Sequence, residues 1–267
     1  MPAASKGEVL EVPVATASGE VRTIRARLCR PASADAARLV VINHGSPGGN
    51  PAIRARYSLL ACDSEPARWF LDRGHAVLAP LRRGYGPEGG AWEEAYGRCE
   101  DPDYVRAARE TARDIAAAIA VARGQPGIAP GGVAVIGQSA GGWGALAIAA
   151  DPPPGVTAVV NVAGGRGGQK GDVPNENCRP DRLVADAGRL ARGAAEPLPM
   201  LWLYTANDGF FAPELAAAMH AAHRAAGGWS ELRPLPAWGR DGHDMFYGRG
   251  GAAVWGPIVE AWLATHP

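Results

Sequence analysis

Apolar and polar positions follow two different rhythms along the chain. In residues 8–30 the segments EVLEVPV and EVRTIRARLC alternate between apolar and polar side chains on either side of Ser18-Gly19. Such alternation around a turn-forming pair predicts a β-hairpin ahead of the main domain. Beyond it the apolar residues come in short unbroken runs: RLVVIN (38–43), HAVLAP (75–80), GVAVIG (132–137), VTAVVNV (156–162) and PMLWLYT (199–205), with a weaker ELRPLP (231–236). Runs of this kind suit strands buried on both faces. Stretches of helical period separate them, at 65–72, 103–123, 141–150, 180–192, 212–226 and 253–264. Strands alternating with helices predict an α/β fold with a mostly parallel central sheet flanked by helices. There is no internal repeat and no Ser/Gly linker, so residues 1–267 are expected to form a single domain. The Gly-rich piece 163–175 reads as a loop on the active face; it leads into one helix only, which leaves no room for a large cap domain before the strand at 199–205.

Composition narrows the class of partners. Lys and Arg number 27 against 27 Asp and Glu, a formal net charge of zero, so no global field draws the chain to nucleic acid or to an anionic membrane. No window approaches the roughly 20 apolar residues of a membrane span, and the N-terminal MPAASKGEVLEV lacks the apolar core of a secretory signal. On those grounds the chain reads as soluble and untargeted. Cys29, Cys62, Cys99 and Cys178 form no CxxC and no zinc-like Cys/His spacing; buried small hydrophobes and one or two disulfides are both open readings.

The decisive chemistry lies in GVAVIGQSAGGWGALAIAA, residues 132–150. A strand runs into Gly137-Gln138-Ser139-Ala140-Gly141 and a small-residue helix follows at once. The G-x-S-x-G pattern has catalytic meaning in that context, because a sharp strand-to-helix turn presents the serine while the glycines permit close backbone approach. The N–H of Ala140, at the helix start, would face an oxyanion formed on a substrate held at Ser139.

A serine hydroxyl needs a positioned base, and histidine titrates near neutrality. Of six histidines, His44 and His75 border strands, His266 is terminal, and His220 and His223 share a helix face that reads as solvated rather than metal-binding. His243 remains, in the polar loop GRDGHDMF between the last weak strand and the last helix. Asp208, in Ala206-Asn207-Asp208-Gly209 after the strand at 199–205, is the candidate acid that orients the imidazole. Its competing role is an Asx turn or cap for the next helix. Asp241 and Asp244 rival it only by closeness to His243 in sequence.

With these motifs the chain resembles the α/β-hydrolase superfamily, in the branch of dienelactone-hydrolase-like and prolyl-oligopeptidase-like esterases, from about residue 38 to the C-terminus. The order Ser139, Asp208, His243 is the one the resemblance implies. By the same resemblance Asn43-His44-Gly45-Ser46-Pro47-Gly48-Gly49 looks like the HGxP element, which makes the N–H of Ser46 the second oxyanion donor and His44 a hydrogen-bonded support. Arg82-Arg83-Gly84-Tyr85-Gly86 resembles the RGxG element and is expected to border the site. A competing motif, Gly84-Tyr85-Gly86-Pro87-Glu88-Gly89, matches G-x-G-x-x-G after a strand, but GGAWEEAYGRCEDPD follows it where a dinucleotide fold needs an apolar helix.

The expected activity is therefore cleavage of small-molecule carboxylic esters through an acyl-enzyme, with no metal or organic cofactor. An acyl aminopeptidase-like serine peptidase and a non-catalytic binder on a hydrolase scaffold are the alternatives. Trp92, Tyr96, Trp143, Phe210, Phe211, Phe246 and Tyr247 lie near the active loops and read equally as an apolar rim or as packing. Cys99 and Cys178 occupy polar loops expected on the same, C-terminal face of the sheet and are the candidate disulfide; Cys29 and Cys62, in a strand and an apolar stretch, read as buried thiols. The Cys99–Cys178 bond would imply an exported protein, periplasmic or secreted, and its absence a cytoplasmic one.

Overall fold

The computed structural model describes residues 7–32, 36–192 and 197–266. In chain order the elements are β1 (Glu8–Ala15), β2 (Val21–Cys29), β3 (Leu39–Asn43), α1 (Pro51–Arg54), α2 (Glu65–Leu71), β4 (Ala76–Leu81), β5 (Gly97–Arg98), β6 (Asp101–Pro102), α3 (Tyr104–Arg123), β7 (Val133–Gln138), α4 (Ala140–Ala150), β8 (Val156–Val162), α5 (Pro180–Ala191), β9 (Met200–Thr205), α6 (Pro213–Ala225), β10 (Ser230–Leu235) and α7 (Ala252–Thr265). Local chemistry sets several boundaries. Proline opens α1, α5 and α6, where its missing N–H costs nothing, and the Asp103 carboxylate caps α3 by accepting from the N–H of Arg106.

Eight strands form one sheet in the order β1-β2-β4-β3-β7-β8-β9-β10. All pairs from β4 to β10 are parallel. The hairpin β1–β2 does not stand ahead of this sheet as a separate unit; β2 pairs antiparallel with β4, Arg25 opposite Leu81 and Cys29 opposite Val77, so the hairpin extends the same sheet. The unbroken apolar runs are explained by two cores, one on each face. Leu39 and Val41, Val133 and Val135, and Met200 and Trp202 pack under α3, α4, α5 and α6. Their neighbours Val40 and Ile42, Ala134 and Ile136, and Leu201 and Leu203 pack under α2 and α7. Successive strand residues point to opposite faces, so a strand covered on both sides has no position for a polar alternate.

Two disulfides link the chain, and no cysteine is free among the described residues. Cys99–Cys178 joins the turn between β5 and β6 to the loop before α5, as the positions on one sheet face predict. Cys29–Cys62 corrects the expectation of buried thiols. Both of these residues are indeed buried, at 2% and 5% exposure, in the core beneath α2 and α7; burial is equally compatible with a bonded pair, and apolar surroundings alone do not distinguish the two.

Candidate active site

The strands β3, β4, β7, β8, β9 and β10 deliver their following loops to one edge of the sheet, and the candidate residues gather there. Between β7 and α4, Ser139 adopts φ 54°, ψ −119°, a conformation that side-chain-bearing residues rarely take and that surrounding contacts must hold. Its N–H donates to Val162 O (3.0 Å), and its carbonyl accepts from Trp143 N (2.9 Å) and Gly165 N (3.2 Å). The flanking glycines are dictated by contact: a Cβ on Gly137 would strike the Gly141 carbonyl, and one on Gly141 would strike that of Asn43. As the first residue of α4, Ala140 has an N–H without an intrahelical acceptor.

Asp208 follows β9 and is almost fully buried. One oxygen accepts from the N–H groups of Phe210 (2.8 Å) and Phe211 (2.9 Å), and both oxygens lie 3.1 Å from His243 Nδ1. The same carboxylate thus closes a local Asx turn and faces the imidazole, while α6 opens at Ala212 with no side-chain cap. With Nδ1 donating to Asp208, Nε2 is left as the basic nitrogen. Asp241 does not compete for the ring. Its Oδ1 accepts from the backbone N–H groups of Gly209 and His243, each at 2.9 Å, stapling the loop of Asp208 to the loop of His243. Gln138, next to the serine, donates to the His243 carbonyl (3.1 Å).

A buried polar cluster supports the loop 43–49. The guanidinium of Arg82 donates to the carbonyl of His44 (2.7 Å) and pairs with Glu94 (2.6 Å). Glu94 also accepts from Tyr85 OH (2.5 Å) and pairs with Arg166 (3.1 Å). Burial alone would push the Glu94 carboxyl up, but Arg166 and Arg82 outweigh it and hold it well below the usual carboxylate range. His44 meets Gly45 O through Nδ1 (2.7 Å) and accepts from Arg82 N through Nε2 (3.3 Å); burial, with Arg82 beside it, lowers its pKa to about 3, so it is neutral. A neutral ring with both nitrogens engaged supports the loop and is not free to act as a base. Glu94 and Arg166 were not singled out in the sequence; the only signal is that they stand in polar turn-rich segments adjoining the motifs.

Ser139, Ser46 and Phe210 line two chambers at once. The first, of about 560 Å³, also contains His243 and is walled by Ile42, Tyr57, Leu60, Pro80 and Tyr247. The second, of about 430 Å³, is bounded by Ala140, Arg166, Trp92, Tyr96 and the Cys99–Cys178 bond. Of the aromatics expected near the loops, Trp143 and Phe246 are fully buried packing residues. His220 and His223 are not a solvated face: α6 turns them toward Trp202, and His223, buried, bonds Ser230 Oγ at 3.0 Å. Among the described residues no group of three or more His, Cys, Asp or Glu is arranged to hold a metal ion. No helix there is long and apolar enough to cross a membrane.

A family model described as X-Pro dipeptidyl-peptidase (S15 family) matches residues 20–191. No curated protein matches by sequence. Solved structures of the same fold include a candidate dipeptidyl aminopeptidase IV from Bacteroides ovatus (15% identity, TM-score 0.65), of which this chain spans 36% while 98% of this chain is covered. An acetyl xylan esterase from Paenibacillus sp. R4 (14%, TM-score 0.63) is matched over 100% of this chain and 86% of its own. A candidate dienelactone hydrolase from Klebsiella pneumoniae (20%, TM-score 0.60) is matched over 97% and 99%. At these identities the likeness is one of fold.

Proposed function

This chain belongs to the X-Pro dipeptidyl-peptidase (S15) family of α/β-hydrolases and is a hydrolase, and from that premise we propose that it cleaves carboxylic esters of small molecules by a Ser139–His243–Asp208 triad. The observation that carries the reading is the Asp208 carboxylate, both oxygens 3.1 Å from His243 Nδ1, in a site whose main cavity is lined by His243 and Ser139 together. Ser139 Oγ attacks the ester carbonyl as Nε2 of His243 takes its proton. The N–H groups of Ala140 and Ser46 receive the tetrahedral oxyanion. His243 then returns the proton to the leaving oxygen, and water repeats the sequence on the acyl-enzyme. Asp208 holds the imidazole in the required tautomer and stabilises its cation. Because His243 lines the first chamber, the leaving group departs there and the acyl group takes the second. No metal or organic cofactor enters these steps.

Ester cleavage is the reading supported by two neighbours of the same fold, the acetyl xylan esterase and the dienelactone hydrolase, whose names denote ester substrates. The family's own description favours the second reading, a serine peptidase acting after proline. The whole chain is taken as one domain, working in an oxidising compartment that preserves its two disulfides. A panel of nitrophenyl esters set against Xaa-Pro nitroanilides tests the choice. Higher kcat/KM on the esters is expected; higher kcat/KM on the anilides transfers the assignment to the peptidase, and turnover of neither would point to a binding protein.

A further inference from the structure

Among the described residues six non-glycine residues have positive φ, and five of them, Ala163, Gln169, Asp172, Asn175 and Arg179, fall between β8 and the start of α5; the sixth is Ser139. Such a segment keeps its shape only where surrounding contacts over-determine it. At one end that role falls to the Cys99–Cys178 bond, beside which Cys178 N donates to Gly167 O (2.7 Å) and the Tyr104 hydroxyl donates to Cys178 O. At the other end the segment is fastened to the loop of the acid. Asn175 N (2.8 Å) and Gln169 Nε2 (3.2 Å) donate to Gly209 O, and Asn177 Nδ2 donates to Phe210 O (2.7 Å). A Cβ on Gly165 would strike the ring of Phe211, and one on Gly168 would press on Phe210 at 3.1 Å from its Cβ, ring and carbonyl. Phe210 in turn lays its ring on the imidazole of His243, centroids 4.1 Å apart and planes 25° from parallel. The contacts run without a break from the disulfide to the base.

We propose that Phe210 is a positioning residue for His243 and that the Cys99–Cys178 bond holds it in place, so that reducing this one disulfide slows turnover in a protein that stays folded. The proposal rests on the serine-hydrolase reading. The reductant is an external dithiol: its thiolate attacks one cystine sulfur, the other leaves as a thiolate that takes a proton, and the second thiol resolves the mixed disulfide. The protein gains two electrons and two protons, and the reagent leaves as its own disulfide. Access favours this pair. Cys178 is buried, but its partner Cys99 is half-exposed beside the second chamber and offers a thiolate one reachable sulfur, whereas Cys29 and Cys62 are both buried.

The test treats native protein with dithiothreitol, alkylates with iodoacetamide, and follows labelling by peptide mass spectrometry, secondary structure by circular dichroism, and kinetics on a nitrophenyl ester. Alkylation of Cys99 and Cys178 but not of Cys29 and Cys62 is expected, with an unchanged spectrum. The expected fall in kcat is about tenfold to a hundredfold, the scale of a small misplacement of a catalytic group, with KM changed less. In unalkylated samples reoxidation restores kcat. Phe210→Ala lowers kcat to a similar level and makes it indifferent to reduction, while Phe210→Tyr, which keeps the stacked ring, keeps both activity and response. The double variant Cys99→Ser with Cys178→Ser reproduces the reduced state; if it does not fold, the alkylated wild-type protein carries the test. Full kcat after alkylation of both cysteines, wild-type kcat in Phe210→Ala, or loss of the spectrum together with activity overturns the proposal. Oxidised protein that neither turns over esters nor takes a fluorophosphonate removes the hydrolase reading itself, and the proposal with it.

Discussion

At the strand-to-helix turn, Ser139 is placed by backbone sterics: a positive φ, two glycines that admit no Cβ, and three backbone hydrogen bonds. Across the site, Asp208 and His243 sit on two separate loops joined by side chains, with Asp241 bridging two backbone N–H groups, Asp208 accepting from two more, and Phe210 stacked on the ring. One wall is held by close backbone packing and backbone hydrogen bonds that leave no room for an added side chain. The other is aligned by polar contacts that each contribute about 0.5–1.5 kcal/mol and can be removed one at a time. Substitutions at the turn should therefore cost stability first, whereas substitutions between the loops should cost turnover first.

The largest effect tests the polar wall. Asp208→Asn keeps an oxygen for the Phe210 and Phe211 N–H groups but favours the wrong imidazole tautomer, so kcat should fall by about 10⁴, some 5 kcal/mol of transition-state stabilisation, with the melting temperature little changed. A decline of less than tenfold in steady-state kinetics would mean that Asp208 serves only its local turn. Next comes the rigid wall. Gly141→Ala drives a methyl into the Asn43 carbonyl and should destabilise by about 1–3 kcal/mol in urea titration, a loss that an unchanged midpoint would refute.

A smaller effect separates position from chemistry. Asp241→Ala leaves the N–H groups of Gly209 and His243 unpaired and should lower kcat by about tenfold to a hundredfold, while Asp241→Asn, which retains an acceptor, stays within about tenfold. If Asn proved as damaging as Ala, the charge of Asp241 and not its staple would be what matters.

The smallest effect is on stability against pH. Burial lowers His223 to about 4 and, with Arg82 beside it, His44 to about 3, both from an unfolded value of 6.5. The unfolded chain takes up these protons first, so the stability that the two rings contribute is full above pH 6.5 and is lost as pH falls toward 4 and then 3. Asp114 acts the other way. Burial, only partly offset by Arg83, raises it to about 6, and its contribution is full below 3.8 and lost as pH rises through 6. His75 and His220 are also lowered and Asp186 is also raised, so four histidines outweigh two carboxyls; the melting temperature should drop between pH 6.5 and 4.5, and His223→Gln should flatten that slope. An equal slope in the variant would exclude His223 as a source.

The contrast between the walls also marks what can be read from the chain. The run 132–137 and the turn that follows it were legible because sterics act between near neighbours: β7 ends at Gln138, and Gly137 and Gly141 declare the close approach. Asp208 and His243 were legible through order and strand ends. The staple by Asp241 was not, because it acts across 32 residues and its partner is backbone, which carries no residue signature. The same holds for the Arg82–Glu94–Arg166 cluster and for Cys29–Cys62, whose partners are chosen by the packing of the sheet and of α2. His220 and His223 misled for a related reason. Helical spacing places them on one face but does not say whether that face meets solvent or Trp202.

The central claim, that Ser139 is the nucleophile of a hydrolase, is tested most directly by treating the oxidised protein with a fluorophosphonate and locating the adduct by peptide mass spectrometry. The account predicts one phosphonyl group, on Ser139, formed in step with loss of esterase activity, and no adduct in a folded Ser139→Ala variant. An adduct on any other residue, or full activity in protein quantitatively labelled at Ser139, would contradict it.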